Sequence, residues 1–93
     1  MIKRVDTTKL AKKGLADAPV QCRRKYATWI IEVEKHGLEE VRKRPGWNDE
    51  ILKGKREGQR SIRLNVQWRA IYVIKDDNLI EFIEVREVTP HDY

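Results

Sequence analysis

The spacing of apolar residues changes once along the chain, from a helical period to a strand period. Over residues 20–36 apolar positions recur three and four residues apart, which predicts an amphipathic helix. Gly37 ends this helix, and Lys35 and His36 lie in its last turn, where cations suit the helix dipole. The predicted buried stripe contains Cys22, Tyr26, Ala27, Trp29, Ile30, Ile31 and Val33.

Shorter elements are predicted on either side of this helix. Residues 2–5 suggest a brief edge strand, and residues 9–16 suggest a short helix that Gly14 weakens. Pro19 suits the first turn of the long helix. Residues 38–43 predict about one further helical turn, which the sequence Arg-Pro-Gly at 44–46 ends.

From Ser61 onward the apolar period is two, which is typical of strands. Three runs, at 61–64, 68–75 and 79–88, are separated by short polar segments and predict an antiparallel meander. Helices followed by a meander indicate an α+β fold, in which an N-terminal strand and a helical hairpin pack on a small antiparallel sheet. We find no linker or internal repeat, so residues 1–93 are predicted to form one domain.

The two hairpins predict a row of arginines across the sheet. A three-residue loop at 65–67 keeps the apolar positions on one face and sets Arg63 opposite Arg69. A two-residue turn at 77–78 would set Arg69 opposite Arg86. Like charges placed directly opposite cost roughly 0.2–1 kcal/mol per pair. A sequence often keeps such an unfavourable pairing of like charges where a function requires it. Guanidinium groups are well suited to bind phosphate oxygens.

The charge balance also favours a polyanionic partner. The chain has 20 Lys and Arg against 15 Asp and Glu, a net charge of +5. Between residues 53 and 69 there is one acid, Glu57, against six basic residues. These six are Lys53, Lys55, Arg56, Arg60, Arg63 and Arg69. An excess of this kind suits nucleic acid, although a solvated basic surface is an equally good reading of the charge alone.

Other classes of protein find little support. One cysteine permits no internal disulfide, and one cysteine with two histidines is little for a zinc site, so no metal or cofactor is predicted. No apolar run approaches the roughly 20 residues that span a bilayer, and the N-terminus has no signal-peptide core. We therefore expect a cytoplasmic protein with no membrane association.

The end of the chain carries groups that can transfer protons. The sequence closes Thr-Pro-His-Asp-Tyr directly after the strand that contains Arg86. A histidine such as His91 titrates near neutrality, and nearby arginines favour the ionised form of a tyrosine such as Tyr93. An untethered tail is the ordinary alternative for a terminus.

Residues 52–69 resemble the RelE superfamily of bacterial toxins, and especially its HigB-like branch. The stretch contains Leu-Lys-Gly, then Gly-Gln, Ser-Ile-Arg and Gln-Trp-Arg at the spacing typical of that branch, and the closing Pro-His-Asp-Tyr is similar to endings in the superfamily. The resemblance extends over nearly the whole chain. It implies a toxin that cleaves mRNA, typically on the ribosome, and that a cognate antitoxin silences.

The resemblance also assigns catalytic roles to individual residues. Arg69 matches an arginine that contacts the scissile phosphate, and Arg63 matches a basic residue on the preceding strand. Arg86 matches, within a residue or so, an arginine that stabilises the transition state. Tyr93 matches a terminal tyrosine that acts as the general base, and His91 is the alternative base in this chain.

The same comparison predicts the RNA-binding groups and the partners. Lys53 matches the lysine of the Leu-Lys-Gly run, and Asp92 lies in the cluster at the end of the chain. We expect Lys55, Arg56 and Arg60 to add salt-dependent affinity for the RNA backbone. The expected partners are mRNA, the ribosome and an antitoxin with a HigA-like helix-turn-helix.

Two other functions stay open on the sequence alone. ParE-like proteins share the fold and inhibit DNA gyrase without cleaving RNA. A plain RNA-binding module would bind RNA and leave it intact, although the predicted strands offer few aromatic residues for base stacking.

Overall fold

A computed structural model describes residues 1–90, and its secondary structure follows the predicted order. The helices are α1 (Lys9–Asp17), α2 (Val20–His36) and α3 (Leu38–Val41). The strands are β1 (Val5–Thr7), β2 (Glu50–Ile51), β3 (Arg60–Arg63), β4 (Trp68–Asp76) and β5 (Glu81–Pro90). Within residues 1–90, none of the helices combines the length and apolarity that a membrane span requires.

The five strands form one sheet in the order β1-β5-β4-β3-β2. The predicted meander of β3, β4 and β5 is confirmed, and the fold is α+β. Two details differ from the prediction. The N-terminal strand occupies residues 5–7 rather than 2–5 and runs parallel to β5, so the sheet is mixed. The two-residue strand β2, which pairs with β3, was not predicted because so short a strand leaves no period in the sequence.

One face of α2 packs against the sheet and forms the centre of the core. Cys22, Tyr26, Trp29 and Val33 are buried there, and the Trp29 ring lies 5.5 Å from the ring of Tyr72 on β4. The predicted stripe was too wide. Ala27 and Ile31 are exposed, Ile31 by 55%, because the helix contacts one surface only and a single contact covers a narrow stripe.

The predicted register between β4 and β5 is wrong. Asp76 pairs with Glu81, so the connection has four residues instead of two. The Asp77 carboxylate accepts hydrogen bonds from the N–H groups of Leu79 and Ile80, both at 3.0 Å, and this side chain holds the longer turn together. A bulge between Ile71 and Tyr72 shifts the register once more.

The longer turn and the bulge separate two of the three predicted arginines. Arg69 stands opposite Thr89, not opposite Arg86. Ile71 pairs with Glu87 and Tyr72 pairs with Val85, which leaves Arg86 as the extra residue of the bulged strand. The row therefore contains two directly opposed arginines, and Arg86 lies at the bulge of β5, next to the step between Ile71 and Tyr72.

The buried phenol of Tyr26 predicts a loss of stability at alkaline pH. Burial raises the pKa of Tyr26 to about 12, against which its 2.6 Å hydrogen bond with the Thr7 hydroxyl acts more weakly. The unfolded chain ionises near pH 10, so the stabilisation is complete below pH 10 and is lost as the pH rises through 12. We expect Tyr26→Phe to remove about 2 kcal/mol of this alkaline loss, measured by urea unfolding between pH 8 and 12. Equal pH dependence in both proteins would contradict this assignment.

Candidate functional site

The hairpin of β3 and β4 sets Arg63 directly opposite Arg69, as the sequence predicts. The connecting loop has the predicted length. The side-chain oxygen of Asn65 accepts hydrogen bonds from the N–H groups of Gln67 (2.8 Å) and Trp68 (2.7 Å), and this local turn fixes the register. Two positive charges are thereby held face to face on neighbouring strands.

The Arg69 side chain is buried and is held by backbone oxygens. It is only 7% exposed, and its Nη1 donates to the carbonyl of Asn65 at 3.0 Å and more weakly to that of Trp68 at 3.4 Å. Both acceptors are uncharged. The guanidinium is thus fixed in place, and within residues 1–90 no carboxylate cancels its positive charge.

Arg63 is held in the same manner by an amide. With the Asn48 side chain oriented so that its oxygen faces Arg63, that oxygen accepts from Nη2 at 2.9 Å and from Nη1 at 3.2 Å. In this orientation the Asn48 amide nitrogen donates to the Pro45 carbonyl at 3.3 Å. Among residues 1–90, no Asp or Glu forms an ion pair with Arg63 or Arg69.

Three other predicted arginines each have a carboxylate partner. Arg86 pairs with Glu84 on its own strand at 3.0 Å, and both side chains are partly exposed. Arg56 pairs with Glu87 at 2.7 Å, and Arg60 pairs with Asp49 at 2.7 Å. The opposed pair on β3 and β4 therefore differs from these three in having only neutral acceptors among the described residues.

Arg60 belongs to a buried cluster on the helix-facing side of the sheet. The side chain of its partner Asp49 is fully buried and also accepts a short hydrogen bond from the hydroxyl of Tyr72. Burial, and after it the charge of Asp49, raises the pKa of Tyr72 well above its usual value near 10. Burial disfavours the charged Arg60, but the bond and charge of Asp49 prevail and raise its pKa. The fold does not bring Arg60 together with Arg63 and Arg69.

The basic segment between β2 and β3 forms the wall of a cavity of about 620 Å³. Its lining residues are Leu52, Lys53, Lys55, Arg56 and Gln59. The ion pair between Arg56 and Glu87 ties this segment to β5, at the position that pairs with Ile71 of β4. Ile71 lies two residues from Arg69 on the same strand, and the described lining of the cavity includes neither Arg63 nor Arg69.

The remaining predicted site residues, His91, Asp92 and Tyr93, lie outside the described residues. Within residues 1–90 there is no group of three or more His, Cys, Asp or Glu side chains that could hold a metal ion.

Asn48 and Glu87 hold two of the basic groups, yet sequence reasoning did not single them out. An asparagine after Pro-Gly-Trp suggests a turn, and Asn48 does adopt a left-handed conformation with φ of 49°. Nothing local indicates that its amide meets Arg63, 15 residues later in the sequence. The partner of Glu87 likewise lies 31 residues away.

Comparison with known proteins gives matches in structure only. No family model and no curated protein matches the sequence. YafQ from E. coli strain BL21(DE3) superposes with a TM-score of 0.71 at 13% identity, covering 96% of this chain and 93% of YafQ. The YoeB/ParE toxin from Agrobacterium tumefaciens gives 0.68 at 17% identity, with 95% and 98% covered. The RelBE2 toxin–antitoxin complex from Mycobacterium tuberculosis gives 0.60 at 20% identity, with 98% and 100% covered.

These neighbours confirm the fold that the resemblance implied. The chain has the fold of the YoeB, YafQ and RelE toxins along nearly its whole length. Placement in the HigB-like branch stays a prediction.

Proposed function

We propose that this protein is the toxin of a type II toxin–antitoxin system and an endoribonuclease that cleaves mRNA on the ribosome. The observation that carries the proposal is the opposed pair of Arg63 and Arg69, both held by neutral acceptors. Two fixed guanidinium groups with no carboxylate partner among residues 1–90 form a site for a phosphate, because each can donate two parallel hydrogen bonds to its oxygens. The toxin fold of the structural neighbours supports the same conclusion.

The proposed reaction uses the ribose 2′-hydroxyl as the nucleophile. A base, Tyr93 or His91, removes the proton from the 2′-oxygen, which forms a bond to the adjacent phosphorus. The bond from phosphorus to the 5′-oxygen breaks, and a cationic group such as His91 or a lysine protonates the leaving oxygen. The products are a 2′,3′-cyclic phosphate and a 5′-hydroxyl. Arg63 and Arg69, with Arg86 beside them, stabilise the charge that develops on the phosphate oxygens.

The basic cavity suits the RNA strand next to the cleaved bond. We propose that Lys53 and Lys55, which line the cavity, contact the backbone there. Asp92, which the resemblance adds to this set, lies outside the described residues. Arg56 and Arg60 are less suited to this role because their guanidinium groups are engaged with carboxylates. These contacts would weaken as salt rises, because each neutralised phosphate releases counterions.

The partner that would silence this activity is an antitoxin. One structural neighbour is itself a toxin–antitoxin complex, which supports such a partner. We propose a HigA-like protein with a helix-turn-helix, encoded beside the toxin. A net charge of +5 favours an acidic segment on the antitoxin that covers the arginines.

A single deoxynucleotide tests the proposed chemistry. An mRNA on programmed ribosomes is cleaved by the purified protein, and the same mRNA with one 2′-deoxyribose at the mapped cleavage site is expected to stay intact there. Only the attacking oxygen differs between the two substrates. Cleavage that persists at the deoxy position would contradict the mechanism. RNA binding without cleavage would favour a binding module, and gyrase trapped on DNA would favour the ParE-like function.

A further inference from the structure

The short segment before β2 reaches both faces of β3. A 3₁₀ turn at Pro45–Trp47 ends at Asn48, whose φ of 49° turns the chain sharply. The next residue, Asp49, binds Arg60 on the helix-facing side of the sheet. Asn48 itself binds Arg63, which stands opposite Arg69. Two consecutive side chains of this corner thus each hold one end of the strand.

The two side chains are nearly the same in shape and differ in charge. The carboxylate of Asp49 cancels the charge of Arg60 in a buried ion pair. With the Asn48 amide oriented so that its nitrogen donates to Pro45, its oxygen accepts from both terminal nitrogens of Arg63 and leaves the charge of Arg63 in place. A neutral acceptor is what an anion site requires, because it fixes the direction of the guanidinium without competing with the phosphate.

We propose that Asn48 is a positioning residue that aims Arg63 at the RNA phosphate and, being uncharged, keeps its charge available. This inference rests on the proposed function. The amide oxygen of Asn48 contacts Arg63, and its amide nitrogen makes only a 3.3 Å hydrogen bond to the Pro45 carbonyl. Changes at Asn48 should therefore reproduce a weakened Arg63 while the fold is maintained.

Asn48→Asp tests whether the side chain that holds Arg63 must be uncharged. The carboxylate keeps the size of the side chain and tolerates the left-handed conformation, but it would form an ion pair with Arg63. We expect at least tenfold weaker binding of a short single-stranded RNA and a salt slope shallower by about one, since one fewer phosphate is neutralised. The measurement is fluorescence anisotropy at several KCl concentrations.

Asn78→Asp is the matched control. Asn78 also has a positive φ, of 74°, and lies exposed in the turn between β4 and β5, where it has no contact with Arg63. This variant changes the net charge by the same amount at a comparable backbone position. We expect its RNA affinity to fall less than threefold and its salt slope to equal that of the wild type, because it neutralises no arginine of the pair.

Asn48→Gly tests whether Asn48 orients the guanidinium of Arg63. Glycine accepts the left-handed conformation without strain, so the thermal midpoint should stay close to that of the wild type. Arg63 keeps its charge but loses its acceptor. We expect an unchanged salt slope, little change in KM and a kcat for RNA cleavage about 10- to 100-fold lower.

Running Arg69→Ala beside these variants separates the inference from the proposed function. If Arg69→Ala loses cleavage while Asn48→Asp and Asn48→Gly match the wild type in kcat and salt slope, the role of Asn48 is refuted and the function stands. If Arg69→Ala cleaves RNA normally, Arg69 is not part of the phosphate site, and the role of Asn48 fails with that site. If the wild type itself cleaves no RNA, the proposed function fails. Similar losses in both Asn48 variants, with equal salt slopes and lower thermal midpoints, would show a structural role only and overturn the inference.

Discussion

Arg69→Ala is expected to lower kcat/KM for RNA cleavage by about 10²–10³-fold. A loss of this size is typical when an enzyme loses one preorganised hydrogen-bond donor that stabilises the charge developing in the transition state. Arg69 is suited to such a large effect because its guanidinium is already fixed by the carbonyl of Asn65 and needs no reorganisation during the reaction. Single-turnover cleavage of an mRNA on programmed ribosomes measures the effect.

Two further variants make the result specific. Arg69→Lys keeps the charge but loses the planar fork, so RNA binding should be largely retained while the rate falls by at least tenfold. Arg24→Ala removes an exposed arginine from α2 and should cleave like the wild type. If Arg69→Ala folds, as judged by urea unfolding, and cleaves within twofold of the wild type, the phosphate site has been assigned wrongly.

Gly14→Ala is expected to destabilise the protein by about 3 kcal/mol, at the high end for overpacking. A Cβ at Gly14 would overlap the carbonyl oxygen of Val88 and lie 3.0 Å from its carbonyl carbon. These are backbone atoms of β5, so relief requires moving α1 away from the sheet. Alanine favours the helix by about 1 kcal/mol, and this gain is too small to offset the contact. A fall in Tm of more than about 10 °C should result.

Gly46→Ala is the control for the same chemical change. No atom lies within 4 Å of a Cβ built at Gly46. We therefore expect a neutral or slightly stabilising effect, within about 1 kcal/mol, because alanine restricts the unfolded chain. If Gly14→Ala is as stable as Gly46→Ala, then α1 does not approach β5 as closely as the structure has it.

Local patterns predicted the main helix and the strands of the meander, and one of the two arginine pairings, that of Arg63 with Arg69. The helical period of α2 and the period of two from Ser61 onward each reflect one buried face, and they placed these elements to within a few residues. The pairing of Arg63 with Arg69 was predictable because a short loop and the apolar alternation leave a single register. All of this information lies within about ten residues of sequence.

The other half of the row was not predictable in this way. The turn between β4 and β5 is lengthened by side-chain bonds of Asp77, and a bulge near Tyr72 adds a further shift. The sequence contains no local signal for that bulge. The prediction therefore placed Arg86 opposite Arg69, whereas Thr89 occupies that position. Gly14 gives a second example. Helix propensity predicts that this glycine destabilises α1, but its close approach to the backbone of Val88 leaves no room for a Cβ.

The α+β architecture, the basic character of residues 53–69 and the opposition of two arginines all follow from the order of the amino acids. Which arginines of residues 1–90 lack a carboxylate partner follows from the folded arrangement of the chain. Arg56 and Arg60 find carboxylates 31 and 11 residues away, whereas Arg63 and Arg69 find neutral oxygens. A charged side chain carries no record of its distant partner in the local sequence, because the partner is chosen by how the strands and the segments between them fold together.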